Sequence, residues 1–285
     1  MFKSSVSQVI QKLESNSVNI HLSRNLNIKN GKLFFGQNNE FEIRVADTID
    51  LREQAYRLIY QIYLKKKFIE PHPSEMWFSK HDLSSSTITL VVLKNKKIVG
   101  ALTLINGVSK RFPANDLYGD ELSGSARLGN QSVELVSFGI DPLVRGSAEI
   151  LTKLFNVAYI ISKEINDKDY FVITVNPRHV SFYMKKLSFE ERGSLKKCLK
   201  VCGAPSKLLI LDLEISKQFN KLSDQGKLTS KNLYKNFIFM EDVKKVIPYL
   251  KIQIRNSQKT LKDTEELIMK RDEIAEDLDL LVSCI

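Results

Sequence analysis

Apolar and polar positions alternate from Glu40 to Val45, the period of a half-buried strand. The period then lengthens. Leu51, Ala55, Leu58, Ile59 and Ile62 recur at three- and four-residue steps, which predicts a helix to about Lys66. Asp47 or Thr48 can open it, because a short side-chain oxygen accepts from the first free amides. Thr87 to Leu93 and Ile98 to Ile105 are apolar runs of strand length joined by Lys94-Asn95-Lys96-Lys97, a predicted hairpin. Further strands are expected over Ser132–Ile140, Tyr170–Val175 and Leu208–Leu213, with helices over Ser147–Glu164 and from Asn176-Pro177 to Leu187. The strands first meander and then alternate with helices. That order predicts a mixed α/β (α+β) fold, a mostly antiparallel central sheet with helices on both faces.

The flanks differ from this core. Residues 1–39 are rich in Ser, Asn and Lys and read as a flexible arm with a short helix near Ser5 to Leu13. Residues 40–215 form the predicted α/β domain, in which 68–86 and 106–130 read as long irregular loops. From 216 to 285 only helical patterns occur, a C-terminal helical extension. There Ile254, Leu261, Ile268, Ala275 and Val282 repeat every seven residues. Such a stripe suits either a helical hairpin packed on its own domain or the seam of a homodimer.

Composition narrows the classes. Of 285 residues, 43% are apolar and 27% charged, which excludes wholesale disorder. No run of about 18 apolar residues occurs, so no membrane span is expected. An apolar leader is absent and only three cysteines are present, so a cytoplasmic protein is expected. The net charge is +10. It is uneven: Lys217 to Lys262 holds eleven Lys/Arg against three acids, and Asp263 to Ile285 two against eight. Neither RNP-like aromatic runs nor zinc-finger spacing appears, so nucleic acid is not the expected partner. Cys198-x-x-x-Cys202 is the nearest approach to ligand spacing, so no metal site is expected.

Three constellations carry candidate chemistry. Glu134 stands in the otherwise apolar strand Val133–Ile140. Covered on both faces, it becomes a general base near neutral pH; on an edge strand it is merely solvated. Asp141-Pro142-Leu143-Val144-Arg145-Gly146-Ser147-Ala148 joins that strand to a helix. The free amides of the helix start can bind an anion and Gly146 allows close approach, although such turns are also common connectors. In Asn176-Pro177-Arg178-His179…Phe182-Tyr183, a helix opens directly after a buried strand. Tyr183 lies one turn after His179 on the same face. Its phenol could protonate a leaving thiolate, or it could be a core aromatic, as Phe182 is expected to be.

Together and in this order the three resemble the GNAT acyltransferase superfamily. More narrowly the chain resembles the long-chain N-acyl amino acid synthases, FeeM-like enzymes akin to the acyl-homoserine lactone synthases. Further matching pieces are Ala55-Tyr56-Arg57-Leu58-Ile59-Tyr60, His81-Asp82, Ile98 to Leu104 and Gly203-Ala204-Pro205, so the likeness spans about residues 41–214. The resemblance implies transfer of a fatty acyl group from an acyl-carrier-protein thioester to the amino group of an amino acid. It implies Glu134 as the base that deprotonates the amine and Tyr183 as the general acid. Val136 and Phe138 fall where strand amides hold the thioester carbonyl. Val144, Arg145, Gly146 and Ser147 fall on the turn that holds the pantetheine phosphate. Trp77, Phe78, Asp82 and His179 are candidates for the acceptor side. No permanently bound cofactor is implied; the phosphopantetheine thioester of the carrier, or acyl-CoA, is the donor.

Two positions depart from relatives. The first slot of the phosphate turn, usually Gln or Arg, is Leu143, which favours a carrier protein over CoA. The position after Ser137, often Arg in the homoserine lactone synthases, is Phe138, which argues against their acceptor, S-adenosylmethionine. Two other readings stay open at this point: a CoA-dependent GNAT acting on a small amine, and a catalytically silent GNAT-like binding module.

Overall fold

The computed structural model describes residues 24–107, 112–123, 128, 131–228 and 232–269. Ten strands form one sheet in the order β1-β2-β3-β4-β5-β6-β7-β10-β8, with β9 paired to β10. They are β1 (Asn27–Lys29), β2 (Lys32–Phe35), β3 (Phe41–Val45), β4 (Thr87–Lys94), β5 (Lys97–Asn106), β6 (Ser132–Ile140), β7 (Tyr170–Val175), β8 (Glu190–Glu191), β9 (Lys196–Cys198) and β10 (Ala204–Asp212). The helices are α1 (Ile49–Lys65), α2 (Asn115–Ser123), α3 (Ser147–Tyr159), α4 (Pro177–Leu187), α5 (Leu213–Asp224) and α6 (Met240–Met269). Among the described strands every pairing is antiparallel except β6 with β7.

Local chemistry explains the boundaries. Thr48 caps α1 by accepting from the Leu51 amide at 3.3 Å, while Asp47 instead pairs with Arg44 at 2.6 Å. The β4–β5 turn is made by Asn95 and Lys96, both at positive φ (51° and 65°), the geometry that matches strand twist. Asn176 caps α4 from its side chain, Pro177 fills the first turn, and Ser188 ends the helix in the left-handed region.

Several sequence expectations are corrected. Part of the expected N-terminal arm is a hairpin: β1 and β2 turn at Asn30-Gly31 (φ 49° and 72°) and place Leu33 and Phe35 in the core. The expected loop 106–130 contains α2. The helix expected to Glu164 is α-helical to Tyr159 and then widens into a π turn over Ile160–Ile165. The last strand begins at Ala204, and β8 and β9 precede it. The helix expected near Ser5 to Leu13 lies outside the described residues.

Residues beyond 216 share the sheet's core: Phe219, Tyr234, Phe237, Val243, Val246, Leu250 and Ile254 belong to one apolar cluster with β2–β7. Ile254 and Leu261 are therefore buried within the chain, which removes them from an intermolecular seam. The side chain of Ile268, and Ala275 and Val282, lie outside the description. Among the described residues no helix is long and apolar enough to cross a membrane, and no group of His, Cys, Asp and Glu could hold a metal ion.

Candidate active site

Two features of β6 build the site. The first is a bulge. Thr103 faces Val136 and Ala101 faces Gly139, so two steps on β5 answer three on β6. Ser137, at φ 48°, absorbs the extra residue. The second is a parting of strands. β6 and β7 pair only from Ser132–Tyr170 to Glu134–Val172, yet β6 continues to Ile140 and β7 to Val175. A cavity of about 640 Å³ opens there, with Leu135, Val136 and Ser137 on one side and Thr174 on the other.

Glu134 sits on its floor, 1% exposed. Its Oε2 accepts the Ala114 amide at 2.9 Å. Burial pushes the carboxyl from 4.5 up to about 8; the Ala114 N–H and the charge of Lys200 oppose that rise, and Asp116 reinforces it. A carboxyl so tuned is divided between acid and base near neutrality.

A second carboxyl enters from the 77–87 segment. Asp82 is 2% exposed and lines the cavity. Its Oδ2 accepts from the Ser79 amide and hydroxyl, each at 2.8 Å, while Oδ1 is buried without a partner among the described residues. Burial raises its proton affinity; the two Ser79 donors and the Arg52 charge counter this. The opposite wall is β9 and the turn after it, with Cys198, Lys200 and Val201. Lys200 pairs with Asp116 at 2.5 Å. Its charge, after burial, also lowers the pKa of His81.

The expected residues are distributed as follows. Glu134, Val136, Trp77 and Asp82 line the cavity. Phe78 stands behind it, stacked on Tyr56 with centroids 5.4 Å apart, and Phe138 packs edge-on to Phe155 at 5.8 Å. Val144, Arg145, Gly146 and Ser147 form the turn beyond β6. There Gly146 is left-handed (φ 90°) and offers α3 no side-chain cap. His179 is exposed, and its Nε2 accepts from Arg178 Nε at 3.1 Å. Tyr183 is buried among Phe155, Phe182 and Phe189, and burial raises its phenol to about 12. The Tyr63 phenol is a smaller contributor to that same rise. Tyr63 itself reaches the cavity beside Trp77, with ring centroids 5.3 Å apart.

The family model for the N-acyl amino acid synthase FeeM matches residues 54–212, more than half of the 285. The chain belongs to the FeeM family of N-acyl amino acid synthases. No curated protein matches it. Among solved structures, FeeM, an N-acyl amino acid synthase from uncultured soil microbes, superposes with a TM-score of 0.55 at 22% identity, covering 62% of this chain and 95% of that one. BjaI, a CoA-dependent acyl-homoserine lactone synthase, gives 0.49 at 15% identity over 65% and 85%. The acyl-homoserine lactone synthase LasI gives 0.48 at 15% over 61% and 89%. The fold of this FeeM-family acyltransferase is thus the GNAT-like sheet of FeeM, as the motifs implied.

Sequence reading missed Tyr63, Ser79, Lys200 and Cys198 on the cavity wall. Only Ser79 carried a local signal: it stands three residues before Asp82, the spacing of a reciprocal cap.

Proposed function

We propose that this protein moves a long-chain fatty acyl group from the phosphopantetheine thioester of an acyl-carrier protein to the amino group of an amino acid, giving an N-acyl amino acid. The observation that carries the reading is Glu134: a desolvated carboxyl, tuned to about 8, on the floor of a cavity where two strands part. Glu134 takes the proton of the bound ammonium, directly or through one water. The amine nitrogen then attacks the thioester carbon, the C–N bond forms, the C–S bond breaks, and the thiolate leaves. A phenol protonates it, and the nitrogen returns its second proton to that phenolate as the neutral amide forms: Tyr183, at the position the resemblance marks, or Tyr63, which lines the cavity. Amides at the Ser137 bulge, those of Val136 and Phe138, hold the carbonyl oxygen as its charge grows.

The turn Val144-Arg145-Gly146-Ser147 holds the pantetheine phosphate with its free amides and the Arg145 charge. Leu143 is 87% exposed and neutral, so the turn lacks the extra cation that a pyrophosphate favours, which supports the carrier over CoA. The net charge of +10 suits an acidic carrier. On the acceptor side two buried carboxyls face one lysine, the complement of an amino acid's charges. Asp82 takes the ammonium, Lys200 the carboxylate, and Trp77, backed by Phe78, supplies apolar wall. His179, outside the cavity, borders the acceptor's approach. The carrier is a cytosolic protein, so the reaction is placed in the cytoplasm.

The test is to supply long-chain acyl-carrier protein, or the matching acyl-CoA, with mixed amino acids, and to follow thiol release and new amides by mass spectrometry. N-acyl amino acids formed faster from the carrier are expected. Absence of both amide and thiol release overturns the reading; equal or faster turnover of acyl-CoA overturns the carrier preference.

A further inference from the structure

Helix α6 lies outside the residues matched to the family, yet one of its side chains reaches the back of the acceptor wall. Ser257 is fully buried (0% exposed), and its Oγ accepts a 2.7 Å hydrogen bond from Arg52 Nη2. Arg52, on α1, is itself buried. Its guanidinium also lies 3.5 Å from the carbonyl oxygens of Asp82 and Thr87 and from the Tyr56 hydroxyl, the outer limit of hydrogen bonding. Thr87 Oγ1 in turn donates to the His81 carbonyl at 2.5 Å. The segment that carries Asp82 into the cavity is thus gathered round one cation, and that cation has one short contact, Ser257. Its Nε has no partner among the described residues. Among the described residues Ser257 makes the one contact to the head group that is well inside hydrogen-bond distance.

We infer that Ser257 is a positioning residue for the acceptor site: by fixing Arg52, whose guanidinium borders the Asp82 backbone, it holds the turn that presents the Asp82 carboxyl to the ammonium of the incoming amino acid. The inference rests on the amino-acid reading of the cavity given above. Arg52, Tyr56 and Tyr63 from α1 and Ser79 from its own turn act on Asp82, and His81, Glu134 and Lys200 line the same cavity. Burial favours its neutral form. Arg52 is the one cation that directly opposes it. Loosening Arg52 therefore raises the pH at which Asp82 ionises. A hydrogen bond that merely joined two helices would alter stability and leave that ionisation alone.

The test uses the full chain carrying Ser257→Ala and, as the conservative variant, Ser257→Thr. KM for the amino acid is measured from about pH 5 to about pH 9, a span that covers carboxyl titration in buried sites. Ser257→Ala should raise that KM about tenfold below neutrality, the effect of one charge-assisted contact. Its kcat and its KM for the carrier should stay at wild-type values, and Ser257→Thr should restore the acceptor KM. A second measurement needs no turnover: carbon NMR titration of the aspartate carboxyls, with Asp82 assigned by Asp82→Asn. Its midpoint should be higher in Ser257→Ala than in wild type. An unchanged Asp82 midpoint, or an unchanged acceptor KM in a variant that only melts lower, overturns the inference. A wild-type protein that forms no amide overturns the acyl-transfer reading instead, and the titration still decides the link from Ser257 to Asp82.

Discussion

Replacing Glu134 with Gln separates the proposed base from its shape. The amide oxygen of Gln can still accept the Ala114 N–H, now 2.9 Å from Oε2, so the cavity floor is kept while the proton acceptor is lost. With the carboxyl at about 8, roughly one molecule in ten carries the base near pH 7 and roughly nine in ten near pH 9. The variant should lose about 10²–10⁴-fold in single-turnover amide formation. That is about 3–5 kcal/mol of barrier. The acceptor amine titrates in the same range, so the informative quantity is the ratio of wild-type to variant rate, in which the amine cancels. That ratio should climb through about pH 8. Stability moves the other way. The folded carboxyl holds its proton to about 8 against 4.5 ordinarily, so its contribution is complete at low pH and is lost as pH rises through that window. Glu134→Gln, which never ionises, should withstand urea better than wild type at pH 8 and show little advantage at pH 4. A folded variant with wild-type amide formation at pH 7, or a rate ratio flat across pH 8, would refute the role given to Glu134.

Arg145→Glu should slow transfer from acyl-carrier protein by raising KM for the carrier with kcat kept, because it reverses charge on the turn proposed to hold the pantetheine phosphate; steady-state kinetics at two salt concentrations check it. Lys200→Met should raise KM for a free amino acid about tenfold and leave the corresponding amino-acid amide unaffected, since only the former offers a carboxylate; competition between the two acceptors reads this directly. Lys153 is fully buried, bonded to the Asn236 carbonyl at 3.2 Å, and burial lowers its ammonium from 10.5 to about 7. Its contribution to stability is present above the ordinary value and lost as pH falls toward 7. Lys153→Met should therefore melt above wild type near pH 7, with the gap closing toward pH 10; a gap that does not vary with pH removes this account.

The sheet was legible where apolar periods are long. β4, β5, β6, β7 and α4 fall where their patterns put them, and Glu134 was visible as an acid in an apolar strand. The β1–β2 hairpin was also written in the chain, as Asn30-Gly31 between Ile28 and Leu33, but its Ser, Asn and Lys content masked the turn signal. Helix α2 escaped because Pro113 and Gly119 punctuate a stretch whose helix is irregular at Tyr118 (φ −125°). Its burial depends on Tyr118 bonding to the Ser206 carbonyl at 2.7 Å, far along the chain. The far wall of the cavity could not be read at all. Lys200 meets Asp116 only after β9 pairs with β10 and β10 with β7, and no local period encodes that path.

Helix α6 closes the oldest part of the chain last. The Val45 amide, buried at the end of β3, finds its acceptor in Gln253 at 2.9 Å, 208 residues later. Arg52 waits as long for Ser257. At a ribosome adding about 5–20 residues per second, that interval is about 10–40 s. Throughout it the Val45 amide and the Arg52 guanidinium lack the partners that α6 supplies, and the apolar face that α6 covers stays open to water. Nascent chains stalled before Ser257 should therefore bind chaperones and be cut readily by protease within α1, and those stalled with α6 clear of the exit tunnel should not. The same helix that lies outside the family match thereby sets the moment at which the enzyme becomes one piece.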